Sequence, residues 1–178
     1  YGDCKGSSQT YEFQFLKGGS TMPDMLVKLY ELPDSSALYA KLAEQNIQII
    51  RPMTPNKYKV HDFILKHFHI GWANEIDAAF TKFPVSCFVA YDTVAKKIVG
   101  FAGYDCTYKD FFGPTGVDPE YRGREIGRAL LMRCLEAMRD EGYGYAVIGS
   151  AGPANFYNKC CGATVIEGSI PGIYASLI

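Results

Sequence analysis

The stretch Gly116-Val117-Asp118-Pro119-Glu120-Tyr121-Arg122-Gly123-Arg124-Glu125-Ile126-Gly127-Arg128-Ala129-Leu130-Leu131 constrains this chain more than any other. It reads as the end of a strand, a basic glycine-containing turn and the start of a helix. Ile126, Leu130, Leu131, Cys134, Leu135 and Met138 recur at helical spacing and turn one face to a core. Arg128, Arg133, Glu136, Arg139 and Asp140 are left for solvent. A helix start exposes backbone N–H groups with no partner inside the helix and carries the positive end of the helix dipole. Gly123 and Gly127 permit close approach to that backbone, and Arg122, Arg124 and Arg128 add positive charge. Such a turn suits a pyrophosphate. The plainer alternative is an ordinary helix N-terminus with surface arginines.

The longer run Val117-Asp-Pro-Glu-Tyr-Arg-Gly-Arg-Glu-Ile-Gly-Arg-Ala-Leu-Leu resembles the acetyl-CoA motif of the GCN5-related N-acetyltransferases, the GNAT family. That motif is Arg or Gln, two residues, Gly, one residue, then Gly or Ala. Arg122 and Gly127 match its ends, whereas Glu125 replaces the middle glycine. A carboxylate there faces phosphate unless it turns to solvent or pairs with a neighbouring arginine. Phe156-Tyr157-Asn158-Lys159-Cys160-Cys161-Gly162-Ala163 resembles the family's second signature, Phe-Tyr followed by Gly-Phe, with Ala163 in place of the last phenylalanine.

The resemblance implies an α/β (α+β) GNAT fold, with a mixed, mostly antiparallel sheet and flanking helices. It implies acetyl-CoA as cofactor, held by Val117, Arg122, Gly123, Arg124, Glu125, Ile126, Gly127, Arg128, Ser150 and Phe156. Ser150 stands where relatives often carry asparagine. The strand before the basic turn and the next strand splay apart in that family, so Val117 is expected beside the pantetheine arm and Tyr157 beside the thioester sulfur. The implied reaction moves an acetyl group to a primary amine of a small-molecule acceptor by direct attack in a ternary complex. An amine of pKa about 10.4 must first lose a proton, and the departing thiolate must gain one. Tyr157 is the expected donor. Asp105 and Glu75 are candidate bases, and Trp72, Tyr104 and Tyr108 are candidates for the acceptor pocket. The alternative is an acyl-CoA-binding regulatory module on the same fold without transferase activity, motivated by Glu125 and Ser150. A Rossmann nucleotide site fits less well, because its glycines follow an early strand.

Along the chain, residues 1–46 read as an N-terminal β/α extension and 47–178 as the GNAT domain, about three quarters of the sequence. In the extension, Tyr11–Leu16 and Leu26–Leu32 read as strands, and Asp34-Ser35-Ser36 opens a helix to Asn46. The extension could pack on the main sheet, cover the acceptor cleft or form a dimer contact. In the domain, Gln48–Met53 is a strand and Thr54–His69 a helix. Gly71 is the expected break before a second helix, Trp72–Lys82. Val85–Tyr91 and Ile98–Tyr108 form a hairpin. Phe111–Val117 feeds the basic turn, with a bulge expected at Pro114. Tyr143–Gly149 is a strand after the Gly142 helix stop, and Pro153–Cys160 a short helix. Ala163–Ile166 and Ile173–Ile178 read as a closing hairpin.

Eighteen basic against nineteen acidic residues leave a net charge of −1, which argues against a nucleic-acid surface or an acidic membrane as partner. No apolar run is long enough for a transmembrane helix. The start lacks the apolar region of a signal peptide and a methionine, so the natural start is expected further upstream. None of the six cysteines has metal-type spacing, and no metal is expected; His67 and His69 point to different helix faces. Cys87, Cys106 and Cys134 read as buried thiols, and the adjacent Cys160 and Cys161 as a less expected redox pair. Free thiols suggest a cytoplasmic protein. A homodimer is compatible with the resemblance.

Overall fold

The computed structural model describes residues 20–177. The expected Tyr11–Leu16 strand and Cys4 lie outside the described residues. In chain order the elements are β1 (Met25–Lys28), α1 (Ser36–Glu44), β2 (Ile47–Ile50), α2 (Lys57–His67), α3 (Ile70–Ala79), β3 (Cys87–Asp92), β4 (Lys97–Tyr104), β5 (Phe111–Val117), α4 (Ile126–Asp140), β6 (Tyr145–Ile148), α5 (Ala154–Cys161) and β7 (Thr164–Val165). The strands form one seven-stranded sheet in the order β2-β3-β4-β5-β6-β1-β7. Every neighbouring pair is antiparallel except β5 and β6.

α4 carries the organising pattern. Ile126, Leu130, Leu131, Cys134, Leu135 and Met138 are all buried. With α1 they cover one sheet face, the side to which Ala102 and Tyr104 point. α2 and α3 cover the other, packing Val60, Phe63, Ile64 and Ile76 around Phe101. α4 stops at Gly142, whose φ of +98° an L side chain rarely adopts. Tyr143 N there donates back to the Met138 carbonyl at 3.1 Å, a helix-terminating arrangement that glycine favours.

Three expectations need correction. The strand expected over Leu26–Leu32 is β1 and ends at Lys28, where a 3-10 turn (Leu29–Glu31) follows. Gly71 does not break the helices: it is the second residue of α3, where helix amides lack intrahelical partners anyway. The break is at Phe68, whose angles (φ −139°, ψ −143°) leave the helical region. The closing hairpin does not form. Thr164 and Val165 pair with Leu26 and Met25, and Gly172–Ser176 coils into a 3-10 turn just past Pro171, which has no amide for a ladder. Residues ahead of Ile47 therefore complete the main sheet, because β1 fills the slot between β6 and β7.

The bulge at Pro114 is present. Ala102 opposes Thr115 and Tyr104 opposes Phe112, so Gly113 and Pro114 together face Gly103.

Candidate active site

The parallel pairing of β5 with β6 consists of two positions, Phe111 with Val147 and Phe112 with Ile148. Beyond them the strands part. Among the described residues, β5 continues from Gly113 to Val117 with no strand on that side, while β6 gives way to Gly149 and Ser150. A groove of about 540 Å³ follows this opening, lined by Gly113–Val117, Ile148–Ser150 and Tyr157. Pro119 and Arg122 extend it past the C-terminal end of β5. Glu75 and Thr107 line it where the chain enters β5, and Phe68 and Trp72 form a side wall.

At the Arg122 end the backbone turns from β5 into α4. Asp118 Oδ1 accepts from Glu120 N at 3.0 Å and shapes the turn leaving β5. Gly123 and Glu125 then take positive φ values, +78° and +64°. Among the described residues, none of the six backbone amides from Gly123 to Arg128 has a hydrogen-bond acceptor. Six consecutive donors at the positive end of a fifteen-residue helix are an arrangement at which anions are commonly held.

The three arginines have different duties. Arg122 lines the groove. Arg124 ties the turn to the end of α1, donating to Gln45 Oε1 (3.0 Å) and to the Gln45 carbonyl (3.2 Å), and lies over the Tyr121 ring. Arg128 pairs with Glu125 at 3.2 Å. The other Glu125 oxygen accepts from Lys41 at 2.5 Å, and that bond chiefly holds the Glu125 carboxyl below its ordinary pKa. Glu125 is thus ionised and paired with two cations. Ile126 is in the core, and Gly127 faces Val117, with room for a Cβ 3.7 Å from its methyl.

At the other end, Tyr157 is held by α5 with its ring edge-on to Phe112, centroids 6.5 Å apart. Ser150 (φ +48°) is fixed by Asp24: its amide donates to Asp24 Oδ1 at 2.8 Å, and its hydroxyl lies 2.5 Å from that of Ser20. Glu75 projects from α3 into the groove, with Thr107 Oγ1 donating to its Oε2 at 2.5 Å. Burial raises the Glu75 pKa, only partly opposed by the Thr107 bond. A carboxyl that holds its proton more tightly than usual is a stronger proton acceptor than an ordinary glutamate.

Other sequence candidates lie outside the groove. Asp105 ends β4 with φ +54°, and its carboxylate accepts from Tyr143 Oη (2.7 Å) and Asp110 N (2.9 Å) and pairs with Lys109 (3.2 Å) and Lys82 (3.4 Å). Burial works against its charge, yet these donors and lysines more than offset it and hold the pKa below the ordinary range. Tyr104 is fully buried on the α4 side, its hydroxyl between Arg51 and Glu141. Tyr108 is exposed and packs edge-on to Phe111, 5.8 Å between centroids. Phe156 is exposed beside Tyr157. Cys160 and Cys161 are buried free thiols in α5, and burial pushes the Cys161 pKa to about 12, so neither is a ready nucleophile.

Sequence reading overlooked Phe68, Thr107, Met22 and Tyr174, all in the groove lining. For Phe68 a signal existed. Gly116 lies in a strand, where glycine often marks a close approach; its hydrogen faces the Phe68 ring, which a Cβ would overlap. Met22 and Tyr174 come from opposite ends of the described chain, and no local pattern joins them.

The sheet, the splayed parallel pair and the helix start at the mouth of the groove define a GNAT-type acyltransferase fold. The family model described as an acetyltransferase (GNAT) domain matches residues 84–160. It is similar to the GCN5-related glucosamine N-acetyltransferase region of a fungal multi-domain GH3 beta-N-acetylglucosaminidase, at 15% identity and a TM-score of 0.67, covering 92% of this chain and 22% of that one. It is also similar to a GCN5-related N-acetyltransferase from Sphaerobacter thermophilus, at 16% identity and a TM-score of 0.58, covering 91% and 54%. A Drosophila protein aligns at 12% identity and a TM-score of 0.53, covering 92% and 55%. This chain thus spans about half or less of each of these structures. No curated protein matches the sequence. None of the helices of the described residues is long and apolar enough to cross a membrane.

Proposed function

We propose that this protein is an acetyl-CoA-dependent N-acetyltransferase acting on a primary amine of a small molecule. The observation that carries the reading is the groove itself. It runs along the open side of β5 from a turn with six unpartnered amides to a tyrosine and a buried carboxyl. Those amides and Arg122 fit a pyrophosphate, and the strand from Gly113 to Val117 fits an extended amide-bearing arm. Glu125 does not oppose this, since its charge is neutralised by Lys41 and Arg128.

Acetyl-CoA supplies an acetyl group activated as a thioester. The chain supplies the proton traffic. Glu75 takes a proton from the ammonium of the acceptor, freeing the lone pair that attacks. Tyr157 Oη provides a proton for the departing sulfur. The aromatic wall limits water near Glu75, which keeps its charge poorly solvated and basic.

Thermal melting with and without acetyl-CoA tests the reading. Cofactor at a hundred times its dissociation constant adds about 2.7 kcal/mol of stability. For a domain of this size that raises the Tm by roughly 5–10 °C. An unmoved Tm at saturating acetyl-CoA refutes the proposal.

A further inference from the structure

The acceptor end of the groove has an asymmetric composition. Its wall, formed by the α2–α3 junction and the first turn of α3, is aromatic: the Phe68 and Trp72 rings lie 5.4 Å apart and tilted by 36°, and His69 stands 5.0 Å from Trp72. Glu75 is one helical turn beyond Trp72 on α3 and is the sole carboxylate lining the groove among the described residues. Thr107 engages Glu75 Oε2, and no described residue bonds Oε1.

We infer that the acceptor is a monoamine on a flat apolar body, an arylalkylamine. This inference rests on the acetyltransferase reading above. One carboxylate matches one ammonium. A polyamine would bring a second cation into a site where the described residues supply no second anion, and an unpaired charge out of water is costly. An amino sugar would place several hydroxyls against ring carbon, where each lost hydrogen bond counts against binding. An aryl ring instead stacks offset or edge-on to Phe68 and Trp72 while its short chain delivers the ammonium to Glu75. The ammonium gives one proton to Glu75, the freed lone pair forms the bond to the acetyl carbon as the carbon–sulfur bond breaks, the departing sulfur takes the Tyr157 proton, and the second nitrogen proton restores Tyr157 as the amide forms.

Trp72 is the only tryptophan of the chain, so intrinsic fluorescence reports on this end of the groove directly. The test titrates the full chain with 2-phenylethylamine, spermidine, glucosamine and uncharged 2-phenylethanol. Thiol release from acetyl-CoA is followed in parallel. We expect 2-phenylethylamine to change Trp72 emission, and 2-phenylethanol to bind about tenfold more weakly because it lacks the charge-assisted bond to Glu75. Glu75→Gln, checked by its melting curve, should erase that tenfold difference. Tighter binding or faster thiol release with spermidine or glucosamine overturns the acceptor class while leaving the transferase reading standing. A saturable Trp72 response to 2-phenylethylamine without thiol release does the converse. Equal binding of 2-phenylethanol and 2-phenylethylamine removes Glu75 from recognition and overturns the inference.

Discussion

Replacing Asp105 by asparagine separates a structural carboxylate from a catalytic one. Its side chain is 5% exposed and accepts hydrogen bonds from two neutral donors, Tyr143 and the Asp110 amide, and a third from the exposed Lys109 ammonium. A hydrogen bond to a charged group is worth about 1.5–3 kcal/mol against about 1 for a neutral one, so losing the charge costs roughly 1 kcal/mol per bond. Lys82 adds a fraction of that, and the exposed Lys109 ammonium little. Asparagine tolerates the positive φ at this position, so no backbone term enters. The sum is about 2–3 kcal/mol, which lowers the Tm by roughly 5–10 °C at pH 7. The folded pKa lies below the ordinary value of about 3.9, so this stabilisation is present above that value and is lost as pH falls through the folded pKa. Circular-dichroism melts of parent and Asp105→Asn should therefore differ at pH 7 and converge towards pH 3. The same carboxylate anchors the loop carrying Thr107, so kcat/KM should fall less than about tenfold. A Tm unchanged at pH 7, or turnover lowered by about a thousandfold with the fold intact, would refute a scaffolding role and reinstate Asp105 as a base.

Gly116→Val puts carbon into the Phe68 ring and into the groove wall; it should cost about 1–3 kcal/mol in denaturant titration and abolish the acetyl-CoA-induced rise in Tm. Tyr157→Phe should lower kcat by about a hundredfold with little change in cofactor affinity, measured by steady-state kinetics beside calorimetric titration; an unchanged rate removes Tyr157 from the mechanism. Because burial raises the Glu75 pKa, kcat/KM should climb with pH through a midpoint above the ordinary glutamate value of about 4.3, and this limb should vanish in Glu75→Gln.

The legible parts of the molecule were those written in consecutive residues. The α4 stripe from Ile126 to Met138 and the β5 strand from Phe111 to Val117 could be read because periodicity and turn chemistry are local. Gly142 and Pro114 did what their backbone chemistry requires. The pairing of Met25 with Ile148 had no such signal, since nothing in either segment names the other. That omission also produced the false closing hairpin, because Thr164 and Val165 needed a partner and the nearest apolar run was assigned to them. Tyr104 lies outside the groove by parity: Phe101 faces α2 and α3, so Tyr104, three residues on, faces α4. Asp105 lies outside it because its positive φ turns it into its own loop, where two lysines and a tyrosine wait. Glu75 was recognisable only as a carboxylate on a helix; what distinguishes it is burial, which depends on the packed molecule.

The position of β1 bears on how the protein is made. Both strands that Met25–Lys28 must sit between, Tyr145–Ile148 and Thr164–Val165, are translated more than a hundred residues after it. Contacts so far apart in sequence form slowly. Until they form, the nascent chain carries an unsatisfied apolar ribbon, and the nearly finished domain carries a gap of matching width. Two chains emerging side by side could fill each other's gaps before their own, so polysome crowding, rather than any weakness in the finished fold, is where this architecture is most exposed to error.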